Sequence, residues 1–313
     1  MNITLFIFSL AFSTILHFGV QRIFIYYKKF DAFNIRSSHN TLATLTGGIG
    51  VFSTLLLVSM FYYFKDLELF DYSLFIPLGI MFVIGVYDDF YNADFKLKFL
   101  LQIIVAKILI DQGYVISNYH GLFGLYEVSW LLAQFSTVFM FLIIVNSINF
   151  IDGIDGLAIT DFIKTILLIE FFSSGYSNLT SLSFLIISSL IPLYYFNFKK
   201  RRKVFLGDAG SLFLGTIIAL YTFHILGEGF VFREGLSINK TLFSIILLFY
   251  PLIDLLRVFI IRIRNRKSPF HPDQNHLHHI LINRGYPSLG SVFIIQISFS
   301  LIFFILFWIA KLI

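Results

Sequence analysis

Apolar runs close to the ~20 residues needed to cross a bilayer recur along the whole chain, separated by short polar interruptions. They fall at about 3 to 27, 46 to 64, 72 to 87, 98 to 116, 130 to 151, 157 to 176, 180 to 198, 206 to 226, 239 to 262 and 288 to 311. Each predicts an α-helix, because a segment in lipid must satisfy its own backbone hydrogen bonds. The pattern therefore predicts an all-α polytopic membrane protein of about ten transmembrane helices. No internal repeat, low-complexity tract or Pro/Ser/Gly linker divides it, so residues 1–313 read as a single integral membrane domain. The first run lacks a basic leader and a small-residue cleavage site, and reads as a retained anchor.

Composition supports this picture and narrows it. With 58% hydrophobic and 13% charged residues and a mean hydropathy of +0.84, the chain has too little polar surface for a soluble globule. The 41 phenylalanines read as lipid-facing and inter-helix packing. The absence of cysteine excludes disulfides, a thiol nucleophile and cysteine-ligated zinc. Charge then orients the spans. Lys28, Lys29, Arg36, Lys96, Lys98, Lys199, Lys200, Arg201, Arg202, Lys203, Arg262, Arg264, Arg266, Lys267 and Arg284 lie in or beside alternate loops, against Lys65, Arg233, Lys240 and Lys311 on the other side. The positive-inside rule puts the first set in the cytoplasm and both termini outside. The net charge of +5 is thus first a topology device, and no nucleic-acid partner is implied.

Four polar clusters then fall on the basic side: VYDDFYNADFKLK (86 to 98), NSINFIDGIDGLA (146 to 158), KKRRKVFLGDAGSLFLG (199 to 215) and SPFHPDQNHLHH (268 to 279). Ionisable groups at membrane depth mark functional sites by default, so one cytoplasmic-face cleft is the economical reading. Asp88 and Asp89 suit a divalent cation or a base, or simply cap a helix end, while Lys98 suits a phosphate. In the second cluster Gly153 and Gly156 predict a bend that turns Asn149, Asp152 and Asp155 into a cavity, a donor set suited to Mg²⁺; Asn146 reads as structural. Gly207, Asp208 and Ser211 fall where a helix begins, predicting an anion seat with Asp208 either an N-cap or a metal ligand. His276, His278 and His279, with His271 and Asp273, suit a pyrophosphate better than zinc, for which no HExxH spacing exists. Lys107 with Asp111 and Asp161 with Lys164 sit at helical spacing and read as intramembrane pairs or interior-facing groups, and Asp254 with Arg257, at the same kind of spacing, as a brace for the histidine loop.

Together DDFYN with Lys98, NSINFIDGIDGLA, FLGDAGS, YPLIDLLRV and HPDQNHLHH, in this order, resemble the polyprenyl-phosphate N-acetylhexosamine-1-phosphate transferase family (glycosyltransferase family 4). The HLHH ending resembles its UDP-N-acetylglucosamine branch, which starts O-antigen and teichoic-acid synthesis, an early step of cell wall and lipopolysaccharide biogenesis. The resemblance implies a bacterial inner-membrane enzyme that transfers a sugar 1-phosphate from a UDP-N-acetylhexosamine to undecaprenyl phosphate, releasing UMP. It implies Mg²⁺, with Mn²⁺ as an alternative ion, on Asn149 and Asp208, uracil near Asp155, the lipid phosphate near Asp88, Asp89 and Lys98, and the donor's pyrophosphate or sugar near the histidines. The family's first cytoplasmic loop usually carries a Pro-Arg that IRSSHNTLATLTGG lacks, although Arg36, Ser37, Ser38, His39, Thr44, Gly47 and Gly48 are kept.

The expected site is therefore Asp88, Asp89 and Asp208 as catalytic groups, Asn149 and Asp208 on the metal, and Lys98, Asp152, Asp155, Gly207, Ser211, His276, His278 and His279 on substrate. Asp152 stays between metal and nucleotide. Asp88 either deprotonates the lipid phosphate or holds water and metal, and an aspartyl intermediate is the less favoured route. Association into a homodimer is left open. Two rival classes are an intramembrane aspartyl protease, whose GxGD motif fails because residue 205 is Phe, and an ion-coupled secondary transporter, whose repeat symmetry is not readable.

Overall fold

The computed structural model describes residues 2–30, 43–268 and 273–312. The helices are α1 (Asn2–Tyr26), α2 (Gly47–Tyr63), α3 (Phe75–Tyr91), α4 (Phe95–Asp111), α5 (Trp130–Ile151), α6 (Leu157–Phe172), α7 (Thr180–Asn197), α8 (Gly207–Leu226), α9 (Lys240–Leu247), α10 (Phe249–Arg264), α11 (Leu277–Asn283) and α12 (Ser288–Leu312). Two short strands, β1 (Ala43–Thr44) and β2 (Lys203–Val204), pair in parallel. Every expected apolar run is helical. Among the described residues six helices are long and apolar enough to cross a membrane, or seven if α9 and α10 form one broken span. That pair bends by 68° because Pro251, in the first turn of α10, lacks an N–H and its ring excludes the carbonyl four residues back.

The chain forms two compact units, each assembled from two stretches. The first comprises Met1–Val105 and Tyr176–Ile217, the second Ala106–Gly175 and Ile218–Ile313. In the first unit α1, α2 and α7 pack mutually. Lipid tails offer no hydrophobic contrast, so such helices associate through close packing of small residues and polar contacts. The carbonyl of Ser189 accepts from Ser13 Oγ (3.1 Å) and His17 Nε2 (3.3 Å). A Cβ on Gly50 would run into the ring of His17.

The strand pair leads directly into two helix starts. Phe205 N–H donates to Thr44 O, Gly47 N–H to Phe205 O and Gly48 N–H to Leu206 O, each at 2.9 Å. Two of the amides orphaned at the start of α2 are thereby satisfied by the carbonyls that precede α8. Asn197 Nδ2 donates to Val204 O (2.8 Å) and Gln21 Nε2 to Arg202 O (2.6 Å), tying α7 and α1 to the same connection. Glycines let the backbones close in. A Cβ on Gly48 would collide with Gly210, and one on Gly85 with Asp208 O and Ala209.

In the second unit α5 packs on α10, and α12 on α9, α6 and α11. Asp161, 1% exposed, bonds Lys164 Nζ (2.7 Å), which also reaches Gln296 Oε1 (2.8 Å). The expected Asp161–Lys164 pair is thus an interior brace between α6 and α12. Lys107 and Asp111 also pair, but at 50% and 63% exposure. The expectation that they face inward is corrected. They lie in the last turn of α4, where a lysine stem can carry its charge toward the headgroups.

Gly48→Val should lower the unfolding free energy by ~3 kcal/mol, the upper range for overpacking a tight contact. Gly79→Ala, whose Cβ would lie 3.9 Å from Phe52 Cζ, should be near neutral. Thermal unfolding in detergent compares the two.

Candidate functional site

The acid pair lies within the last turn of α3, not in a loop, because that helix runs on to Tyr91 and ends at Asn92 with φ +52°. Asp88 supports this ending: Oδ1 accepts from Ala93 N–H at 2.7 Å. Its other oxygen, Oδ2, binds Lys98 Nζ at 2.5 Å, and the same ammonium lies 3.6 Å from Asp208 Oδ2. Lys98 therefore stands between two carboxylates supplied by α3 and α8. Asp88 is 9% exposed, whereas Lys98 and Asp208 are 24% and 34% exposed, so one edge of the trio is open.

Asp89 points elsewhere. Its two carboxylate oxygens accept the consecutive N–H groups of Asp208 (2.7 Å) and Ala209 (3.1 Å). A side chain from α3 thus caps α8, satisfying orphaned donors at the helix end where a negative charge is most favourable. Of the helix start where an anion seat was expected, the amides of Asp208 and Ala209 are taken by the protein's own carboxylate, and Ser211 is 0% exposed. Gly207 serves the cap sterically. It has φ +74°, and a Cβ there would sit 2.7 Å from Asp89 Oδ2. Asp208 needs no capping role of its own, and its side chain turns to Lys98.

Hard carboxylate oxygens on Asp88 and Asp208, drawn together around a single cation, fit Mg²⁺, which takes one or two carboxylates and completes its shell with water and phosphate. Among the described residues no group of three His, Asp or Glu side chains forms a complete protein cage. That donor set suits a metal shared with substrate rather than a structural ion.

The second unit unites the other two clusters. α5 ends at Ile151, Gly156 turns the chain at φ +77°, and α6 starts at Leu157. The predicted bend is present, with Asn149, Asp152 and Asp155 half-buried around it. Gly153 is required by space: His278 lies against it, and a Cβ would strike the imidazole Nε2. His278 is wholly buried, and among the described residues neither ring nitrogen has a hydrogen-bond partner. His276 stacks on it with centroids 5.5 Å apart and an 11° angle, and lies 5.7 Å from the ring of Phe150. The NFIDG turn and the HLHH segment, more than a hundred residues apart in sequence, therefore touch.

Two acid–base contacts dock the histidine segment on α10. Arg262, 3% exposed, clasps Asp273 through Nε (2.8 Å) and a terminal nitrogen (3.1 Å). Asp254, 0% exposed, binds Arg257 at 2.9 Å and His276 Nδ1 at 2.8 Å. The brace expected of Asp254 and Arg257 is present. Sequence reading counted Arg262 only as a topogenic charge, and its near-invisible signal was the acid eleven residues downstream. His271, Arg36, Ser37, Ser38 and His39 lie outside the described residues.

Burial pushes His278 down to about 3 from 6.5, with the neighbouring His279 and His276 adding to the effect. Burial lowers His279 as well, with His276 contributing. Burial acts to raise Asp273, but Arg262 and Asn275 outweigh it and hold the carboxyl well below its usual range. An unfolded chain therefore protonates His278 before the folded one does. The stability of burying the neutral ring is present above pH 6.5 and is lost as pH falls from there toward 3. The Asp273 contribution, present above 3.8, fades only at still lower pH.

The family model described as glycosyl transferase family 4 matches residues 72–226, a stretch that carries the first three clusters. A probable undecaprenyl-phosphate N-acetylglucosaminyl 1-phosphate transferase of Bacillus subtilis (strain 168) is 31% identical, over 93% of this chain and 80% of the relative. Undecaprenyl-phosphate alpha-N-acetylglucosaminyl 1-phosphate transferases are 28% identical in Salmonella typhi, over 93% of this chain and 79% of the relative, and in Escherichia coli (strain K12), over 87% and 74%.

Two measurements check the local structure. Asp89→Ala should destabilise the protein by ~1–2 kcal/mol through loss of the cap. Between pH 6.5 and 4 the melting temperature should fall less steeply in His278→Leu than in the parent protein.

Proposed function

The chain belongs to glycosyl transferase family 4, and on that premise we propose that it transfers N-acetylglucosamine 1-phosphate from UDP-N-acetylglucosamine to undecaprenyl phosphate, releasing UMP. The observation that carries the reading is Lys98 held between Asp88 and Asp208 on one open-edged patch. Phosphoryl transfer demands placement and charge neutralisation more than covalent help from the protein. A lipid phosphate oxygen attacks the phosphorus that bears the sugar. A bond forms there as the bond to the bridging oxygen breaks, and that oxygen leaves with UMP. Lys98 supplies a compact positive charge to the lipid phosphate, and Asp88 keeps that ammonium in place and accepts any proton the phosphate retains.

Asp208 is a proposed Mg²⁺ ligand, the family resemblance implies Asn149 as another, and Asp152 and Asp155 are assigned to the nucleotide side. The ion, when bound, would neutralise charge on the donor's pyrophosphate; Mn²⁺ would substitute. Asp89, which caps α8, is assigned a supporting role beside Asp88. His276 and His279 are assigned to the donor sugar or its phosphates.

The protein is an integral membrane protein, and the remaining topology is part of this proposal. The shorter helices α2, α4 and α6 are taken as spans, the basic loops as cytoplasmic and both termini as outside. A membrane-surface site follows from the substrates, one greasy and one soluble. Neither the protease nor the transporter reading gains support from the relatives.

Purified protein with radiolabelled UDP-N-acetylglucosamine, undecaprenyl phosphate and Mg²⁺ should yield a lipid-soluble product. Chelation should abolish it, and Asp208→Asn should reduce the rate by about 10²–10³-fold, the scale of losing one charge-stabilising group. No transfer from any UDP-N-acetylhexosamine at ample Mg²⁺ would refute the assignment.

A further inference from the structure

Asp254 lies at 0% exposure on α10 with both oxygens engaged. Oδ1 accepts from Leu277 N–H (3.0 Å) and from the Arg257 guanidinium (2.9 Å). Arg257 also donates to the carbonyl of Asn275, so the acid and the base both grip the stretch just before α11. Oδ2 is left to face His276 Nδ1 at 2.8 Å. A carboxylate paired with a guanidinium is an acceptor only. The proton in that contact must therefore sit on His276 Nδ1, and among the described residues no hydrogen bond reaches Nε2, on the far side of the ring.

The ring has little freedom to do otherwise. His278 stacks on one side, Phe150 packs nearby, and the Arg262–Asp273 clasp anchors the preceding loop. We propose that Asp254 is a positioning residue: it locks His276 in the Nδ1–H tautomer, so that Nε2 is offered to the donor as a hydrogen-bond acceptor. Its partner would be a hydroxyl or amide N–H of the sugar, not a phosphate oxygen, which has no hydrogen to give. Of the two ligands expected near the histidines, pyrophosphate or sugar, this selects the sugar's own donors for the first histidine in HLHH. The role in donor recognition rests on the transferase reading; the tautomer does not.

Asp254→Asn provides a selective test, because the substitution is nearly isosteric. Leu277 N–H and Arg257 continue to call for an oxygen, so the new amide nitrogen is turned toward His276. Nδ1 must then accept, and the proton moves to Nε2. The equivalent exchange in the Ser-His-Asp triad of serine proteases leaves geometry intact yet costs ~10⁴ in rate through the wrong tautomer.

Histidine ¹⁵N NMR in detergent near neutral pH, with His276 assigned by its loss in His276→Gln, reads the state directly. The parent protein should show a protonated Nδ1 and an unprotonated Nε2, and Asp254→Asn the reverse. The variant's KM for UDP-N-acetylglucosamine should rise at least ~10-fold, the scale of one lost hydrogen bond to a charged or buried group. Its KM for undecaprenyl phosphate should stay within twofold. A parent His276 protonated on Nε2 alone, or on both nitrogens, overturns the proposal even if the variant fails to fold. A folded Asp254→Asn with the tautomer reversed and unchanged donor KM overturns the recognition role. An inactive parent protein with the expected tautomer would instead count against the transferase assignment.

Discussion

A carboxylate from the end of one helix closes the start of another, and the acid–lysine patch depends on that contact. Asp89 accepts two consecutive amides at the head of α8, which orients the first turn and with it Asp208. The contact forms only because the backbones come unusually near, with glycine at 85 and 207 leaving no side chain in the way. Neighbouring Asp88, one residue round the helix, meets Lys98 instead. Two adjacent acids of identical chemistry acquire distinct duties through helical rotation alone.

Much of this was legible in the residues. Apolar periodicity located the helices, since a backbone in lipid has few alternatives, and the Gly153–Gly156 bend was visible as glycine inside an oily stretch. The polar clusters announced themselves because carboxylates in such company are costly. Their partners were less visible. That α3 continues through Asp88 and Asp89 depends on the Ala93 amide and on Asn92 adopting a left-handed conformation, neither of which the hydropathy pattern encodes. The cap on α8 links residues about 120 positions apart. An Asp after a glycine at a helix start reads locally as its own cap, and only the fold reveals that another acid has taken the task.

The exposed Lys107–Asp111 pair marks a different limit. Spacing identifies partners on a helix face but not which way that face turns. Helical spacing gives a buried brace at Asp161 and Lys164, three apart, and an open pair at Lys107 and Asp111, four apart, near the end of α4. The Leu248 bend was equally hidden, because an apolar run of ordinary length conceals a proline placed to divide it.

The meeting of Gly153 with His278 has a consequence for how this chain can change. One position is the smallest residue available, and the other is a ring seated in the space it leaves. Enlargement at 153 requires shrinkage at 278, so neither can drift alone. Two motifs that look independent along the chain form one heritable unit, and natural variation at either should be read as a pair.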